Sequence, residues 1–551
     1  MDTDVTTDLT FEPPGPGEWE LDATHRGRRP FSRLVRRGLK STIEDSTREL
    51  MAGYGLPLEY IRVEYVHGCV YMRPVPIGEG DKPSAAPPTP IMWLIARLHP
   101  EMRRRNRAAR SAWEQKRWRA EVDRWFDHDR AEVVAANLEL QRVDPGSLDN
   151  SELVDHITSV AAHFITQAGL NMETHGGDMV PTGDYLAHCR RWGIDDDTAT
   201  ALLAGASRAT TETAELLAPV ARGLAAASDT PASIAEIRAL GPAVGAAIDQ
   251  WLDLHGWRLV TTDDIDKPTL AERPELQLAA LLAAIDPAAA DTDAPDASEV
   301  RRQVPAAEQP LFDELLAEAR YGMRQRDDNV GIRWNWSGGL LRRAVLEAGH
   351  RLADRGGLRR ADHAVDLEMD ELRSLLLHGR GPDADEVAAR FAERDAIEAA
   401  HPPDMLGKPE GPPPLDAFPA PLARATTAMM TMLEAEGLSS NADDPGLSGS
   451  GIGTEPYRGR ARVAATADEA LDRLEPGDVL VVPFTGPSYN SIIPLLGALV
   501  VESGGPMCHA AIVAREFGLP AVVGAAGATV DITDGAMIEV DPTTGVVQVI
   551  A

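Results

Sequence analysis

The chain has 551 residues, with 54 Lys and Arg against 86 Asp and Glu, a formal net charge of −32. That balance argues against nucleic-acid binding by the chain as a whole. Three well-separated cysteines, Cys69, Cys189 and Cys508, imply no disulfide framework. With no secretory leader or long apolar span, the reading is a cytoplasmic protein of about three or four domains without a membrane partner.

Residues 1–12 read as a disordered N-terminus. From 13 to 400 the pattern is that of a mostly helical domain with one small β-hairpin. Pro13 to Asp22 reads as a loop anchored by Trp19. His25 to Arg37 is arginine-rich, either a solvated surface or a basic patch facing a phosphate or acidic partner. Thr42 to Tyr54 has helical spacing and stops at Gly55-Leu56-Pro57. Tyr60–Val66 and Cys69–Pro74 alternate around His67-Gly68, which predicts the hairpin. Linkers are expected near 78–90 and 285–309, where Pro, Ala and Asp accumulate.

Ile91 to Asn137 reads as helix, with arginines interleaved with Trp113, Trp118 and Trp125, which suit core anchors. In Asp149 to Gln167, Leu153, Val154, Ile157, Val160, Ala161 and Phe164 form one stripe. Gly169 to Asp178 is expected to interrupt that helix, as an interhelical loop or a ligand-binding break. Asp263, Asp264 and Asp266 lack the glycine and glutamate of a calcium loop and read as a turn cluster. Residues 401–450, rich in Pro and then Gly and Ser around one short helix, predict a hinge. From 451 to 551 short strands mix with short helices, which predicts a compact β/α unit.

The most informative stretch runs from Gly504 to Gly524. Ala498-Leu499-Val500-Val501 reads as a buried strand, Gly504-Gly505 as a tight turn, and His509 to Phe517 as a helix closed by Gly518 and Pro520. His509 thus stands at a helix N-terminus. The partial positive charge and free N–H groups there favour phosphate and disfavour imidazolium. A neutral imidazole can attack a phosphoryl group and hold it as phosphohistidine.

This stretch resembles the swivelling phosphohistidine domain of the PEP-utilising enzyme family, which includes phosphoenolpyruvate synthase, pyruvate phosphate dikinase and rifampin phosphotransferase. The family pattern is Gly-Gly, three residues, His-Ala, an Ala-Arg-Glu helix, then Gly-x-Pro-Ala-Val-x-Gly, and every element stands between 504 and 524. Gly459–Val463, Pro476–Leu480 and Asp534-Gly535 extend the resemblance, and Thr485 and Ser488 lie in the family's Thr-x-Pro loop. Met507 departs from it, replacing a threonine that can be regulatory in dikinases. More diffusely, Pro14 to Leu377 resembles the substrate domain of rifampin phosphotransferase.

The resemblance implies a multidomain fold: a mainly α-helical N-terminal and central substrate-type domain, then a C-terminal β/β/α swivelling domain. No ATP-grasp pattern precedes the helical part, so the expectation is a split phosphotransferase similar to phenylphosphate synthase. A separate ATP-grasp protein would supply ATP and Mg2+, and no cofactor or metal would be held tightly by this chain. His509 would carry phosphoryl to the hydroxyl of a small substrate. Gly504, Gly505 and Arg515 are the candidate phosphate-binding residues, and His175 and His255, each beside glycine at a break in the helices, the candidate acceptor bases. The alternatives are a regulatory or binding protein that retains the histidine domain, and a phosphoenolpyruvate-linked carrier.

Overall fold

The computed structural model describes residues 9–22, 28–79, 88–260, 264–283, 296–409, 411, 414–437, 447–464, 469–470, 473–485, 489 and 492–550. Near the N-terminus, β1 (Glu18–Leu21), β2 (Leu58–Val66), β3 (Cys69–Pro76) and β4 (Met405–Gly407) form an antiparallel sheet in the order β2-β3-β1-β4. The predicted turn between β2 and β3 has φ of 49° at His67 and 85° at Gly68. Two successive positive values suit a two-residue hairpin. The sheet is larger than the hairpin expected. Trp19 is an anchor, at 2% exposure, but it sits in a strand, and residues 405–407 of the expected hinge pair with that strand.

Among the helices of the rest of this module are those that position the site. They are α1 (Arg33–Tyr54), α2 (Asn150–Thr174), α3 (Gly176–Arg191), α4 (Gln309–Met323), α5 (Ser337–Asp354) and α6 (Ala420–Glu436). The predicted apolar stripe of α2 is buried from Leu153 to Phe164, in a core that includes Phe164, Trp334 and Trp336. Asp149 caps α2 through a reciprocal box with Glu152.

The expected interruption at Gly169 is absent. The helix continues to Thr174 and breaks only at His175. Gly169 is a packing position, because a Cβ there would lie 2.4 Å from Thr42 Oγ1 on α1. Likewise, α6 falls in the expected hinge but packs along α3, where a Cβ on Gly183 would lie 1.9 Å from the Ala428 carbonyl oxygen. Residues 438–446 of that hinge lie outside the described residues. The expected linkers also carry helix, at Thr89–Leu98 and Ala297–Gln303. Their remaining parts at 80–87 and 284–295 lie outside the described residues.

Buried charge ties the helices together. Arg394 meets Asp264, Asp266 and Asp366 at 3.0, 3.0 and 3.2 Å, and Arg29 meets Asp266 at 2.8 Å. The acidic cluster is therefore occupied by arginine, and the Arg29 end of the basic stretch serves structure. Trp118 and Trp125 are buried as expected, but each also donates through Nε1, to Glu318 at 2.8 Å and to Asp328 at 3.0 Å.

The described residues of the C-terminal module hold seven strands. They are β5 (Ser450–Ile452), β6 (Tyr457–Val463), β7 (Val479–Val482), β8 (Ala498–Val501), β9 (Ala521–Val523), β10 (Met537–Asp541) and β11 (Val546–Ile550). Their order is β11-β10-β6-β7-β8-β9-β5, with β6 to β9 parallel and the outer pairings antiparallel. Strands β7 and β8 are buried on both faces, as their unbroken apolar runs predict. The helix α7 (His509–Phe517) leaves the sheet after β8. Residues 468–474 read from sequence as a short helix, of which 468, 471 and 472 lie outside the described residues.

Glu318 offers a check on this packing. It accepts from Trp118, Lys116 and Arg119 at 2.7–2.8 Å. Although burial opposes its charge, these donors hold its carboxyl down to about 2. A depressed carboxylate contributes stability that is present above its unfolded value of about 4.5 and lost as pH falls through about 2. Glu318→Gln is expected to lower stability at pH 7 by about 1–3 kcal/mol and to flatten the acid limb of a urea-denaturation series between pH 4.5 and 2.

Candidate active site

The segment between β8 and α7 does two jobs. It turns the chain from strand to helix, and it docks the C-terminal module on the helical one. Gly504 has φ of 118°, and a Cβ there would lie 2.7 Å from Cys508 Sγ. Gly505 N–H donates to the Glu436 carbonyl at 3.2 Å, and Met507 N–H to the Ala435 carbonyl at 2.8 Å. These acceptors are orphan carbonyls at the C-terminal end of α6. A Cβ on Gly505 would lie 2.4 Å from the Ala435 oxygen, so glycine is needed for this approach. The Met507 side chain, 1% exposed, packs in a cluster with Tyr185, Leu186, Met323 and Met432.

His509 opens α7. Its Nδ1 lies 3.2 Å from Thr485 Oγ1, and its Nε2 is buried with no hydrogen-bond partner among the described residues. Thr485 therefore fixes the ring and leaves Nε2 as the free nitrogen. Burial, reinforced by the Arg326 charge, holds the imidazole down to about 3, so the ring is neutral and nucleophilic at neutral pH. Ser488, from the same predicted loop, lies outside the described residues.

Arg326 is the charged residue beside this histidine that sequence reasoning did not single out. It follows α4 and pairs with Glu436 Oε1 at 2.7 Å, while its Nη1 is buried without a partner. Burial disfavours its charge, but Glu436 and Asp178 outweigh that and push its pKa up. It was one arginine among many in a helical stretch, and only tertiary contact distinguishes it.

The other predicted residues separate. The N–H of Gly505 is engaged by α6 in this arrangement. Arg515 donates through Nη1 to the Pro506 carbonyl at 2.5 Å, and its Nη2 stands 3.8 Å from Asp197 Oδ1 on the helical module. Thus Arg515 braces the loop before its own helix. His175 lies between α2 and α3, with Nδ1 3.4 Å from Asp178 Oδ1 and Nε2 3.3 Å from Asn171 Nδ2. His255 stacks on Trp251 at 6.1 Å. Burial, with Arg258 and Arg130 nearby, pushes it well below the ordinary histidine range. Cys508 is buried and its thiol is pushed up by desolvation, which fits packing. Among the described residues one cluster has metal-ligand spacing, His128, Asp129 and Glu132, and its two outer members are exposed.

Residues 474–545 match the family described as PEP-utilising enzyme, mobile domain. The C-terminal module is a PEP-utilising mobile domain. Residues 182–329, which include α4 and Arg326, match the rifampicin phosphotransferase fourth domain. The mobile domain and its helical partner also have relatives at the level of whole alignments. An uncharacterised protein of Mycobacterium tuberculosis is 34% identical over 236 residues, 43% of this chain and 24% of the relative. A rifampicin phosphotransferase of Streptomyces sviceus is 30% identical over 335 residues, 55% of this chain and 34% of the relative. A phosphoenolpyruvate synthase of Aeropyrum pernix is 47% identical over 89 residues, 16% of this chain and 11% of the relative. Each alignment covers about a third or less of the relative's own length. No helix among the described residues is long and apolar enough to cross a membrane.

The burial that depresses the His509 pKa makes the stability of this arrangement pH-dependent. In the docked arrangement the ring stays neutral down to about 3, whereas a freely solvated ring takes a proton below about 6.5. The stabilisation is therefore full above about 6.5 and is lost as pH falls toward 3. NMR titration is expected to show no His509 protonation between pH 5 and 8. In Arg326→Ala the midpoint is expected to move up.

Proposed function

We propose that this chain is the histidine-bearing part of an ATP-dependent phosphotransferase. His509 Nε2 receives a phosphoryl group from an ATP-grasp partner, and the mobile domain then docks on the helical module and delivers that group to the hydroxyl of a small organic substrate. The observation that carries this reading is a neutral imidazole whose Nδ1 is engaged by Thr485 and whose Nε2 stands unpartnered under the influence of Arg326. The names of the relatives, rifampicin phosphotransferase and phosphoenolpyruvate synthase, support the same chemistry.

The donor side belongs to the partner, where ATP and Mg2+ would bind. The residues of this chain act on the acceptor side. Thr485 orients the ring. Arg326, with Nη1 unpartnered, would meet the phosphoryl oxygens and stabilise the charge that develops on them during transfer. The Gly505 and Met507 amides hold the loop to α6, which sets the position of Nε2 relative to the helical module. Arg515 keeps that loop in shape from within the mobile domain.

Phosphate transfer from labelled ATP tests the carrier step, with this chain alone and with a candidate ATP-grasp protein. Acid-labile label that needs both the partner and His509, and disappears in His509→Ala, is expected. No label under any partner condition sinks the carrier reading. Arg326→Ala is expected to leave loading nearly intact and to slow delivery to acceptor about 100-fold or more.

A further inference from the structure

A group of buried polar atoms lies at the docking junction, and those on Asp178, Asn171 and Gln325 are left unused by the carrier step. Asp178 is 1% exposed, and neither carboxylate oxygen has a hydrogen-bond partner among the described residues. Asn171 Oδ1 and Gln325 Oε1 are also buried and unpartnered. So are Arg326 Nη1 and His509 Nε2. Native proteins rarely leave such groups unsatisfied, and a cluster of them marks a place where something else supplies hydrogen bonds.

Two glycines bring these groups together. A Cβ on Gly322, at the end of α4, would lie 2.6 Å from the Gly177 carbonyl oxygen and 3.3 Å from Asp178 Cα. A Cβ on Gly177 would lie 2.5 Å from Gln325 Nε2. The start of α3 and the end of α4 therefore run in contact, with Asp178 on one side and Gln325 and Arg326 on the other. Arg326 links the cluster to the loop that carries His509, since Glu436 pairs with it at 2.7 Å and accepts through its carbonyl from Gly505 N–H at 3.2 Å.

We propose that Asp178 is the proton acceptor for the hydroxyl that takes the phosphoryl group from His509, with His175 as the positioning residue for its carboxylate. This rests on the carrier reading of His509. His175 Nδ1, 3.4 Å from Asp178 Oδ1, orients the carboxylate and leaves Oδ2 for the substrate hydroxyl. In the transfer the hydroxyl oxygen forms the new O–P bond. The Nε2–P bond breaks, its electron pair returns to the imidazole, and the hydroxyl proton passes to Asp178. After the product leaves, that proton is released to solvent. The other unpartnered atoms on the helical side, Asn171 Oδ1 and Gln325 Oε1, are acceptors, which suits a small substrate rich in hydroxyl donors.

The test loads the full chain with phosphoramidate, a small phosphoryl donor that needs no partner, and follows acid-labile label in buffer containing glycerol. Asp178→Asn is expected to load as wild type does, to lose label on the order of 100-fold more slowly, and to flatten the pH profile of that loss. Asp178→Glu should recover part of the rate. Asp178→Asn removes a charge that favours the buried Arg326 cation, so melting temperature is measured for both variants. Normal loading with a wild-type discharge rate in Asp178→Asn overturns the assignment and leaves the carrier reading standing. So does a lowered melting temperature with no rescue by Asp178→Glu, which marks a structural role. Absence of label in wild type, or its retention in His509→Ala, overturns the carrier reading itself.

Discussion

The carbonyl end of α6 is the constraint on which the rest depends. A helix C-terminus leaves carbonyls that must find donors, and here Gly505 and Met507 supply them from the other module. Those two hydrogen bonds set the position of the loop, and the loop sets the position of His509. Glu436, at the same helix end, holds Arg326 by an ion pair of 2.7 Å. One helix terminus therefore positions both the nucleophile and the cation nearest to it in effect. The apolar contribution comes from Met507, which fills a cluster built from α3, α4 and α6.

Charge is distributed unevenly between structure and site. The three carboxylates around Arg394 and the three donors around Glu318 are sets in which charge meets its opposite and locks helices together. Near His509 a neutral imidazole, a guanidinium nitrogen and a carboxylate remain without hydrogen-bond partners among the described residues. Buried open groups cost stability, and this cost is the kind that functional sites carry.

Glycine does different work in the two modules. At 504 and 505 it permits a positive φ and a backbone contact across the junction. At 177, 183 and 322 it lets helices touch where any Cβ would clash. In sequence, Gly176-Gly177 and Gly504-Gly505 look alike, both Gly-Gly next to a histidine or near one. The first serves close helix packing beside Asp178, the second interdomain docking.

The residues themselves were enough to place the strand, glycine turn and helix around His509, because a short apolar run, Gly-Gly, an alanine-lined helix and Gly-x-Pro are local signals. The helix-start reading also expected a neutral ring, but in the structure burial and Arg326 are what hold it neutral. The stripe of α2 and the hairpin turn at His67-Gly68 were readable for the same reason. Tertiary structure decided what local pattern cannot encode. Strand β4 pairs with β1 nearly 400 positions away, and α6 reads as a proline-flanked hinge helix until α3 buries it. Arg326 was one arginine of many until Glu436 and the mobile domain closed on it. The aspartates at 264 and 266 were a surface turn until Arg394 arrived from another helix. Sequence determined the local setting of His509 because its surroundings are contiguous in the chain; the fold decided its partners because they converge from segments far apart, where only packing can bring them into reach.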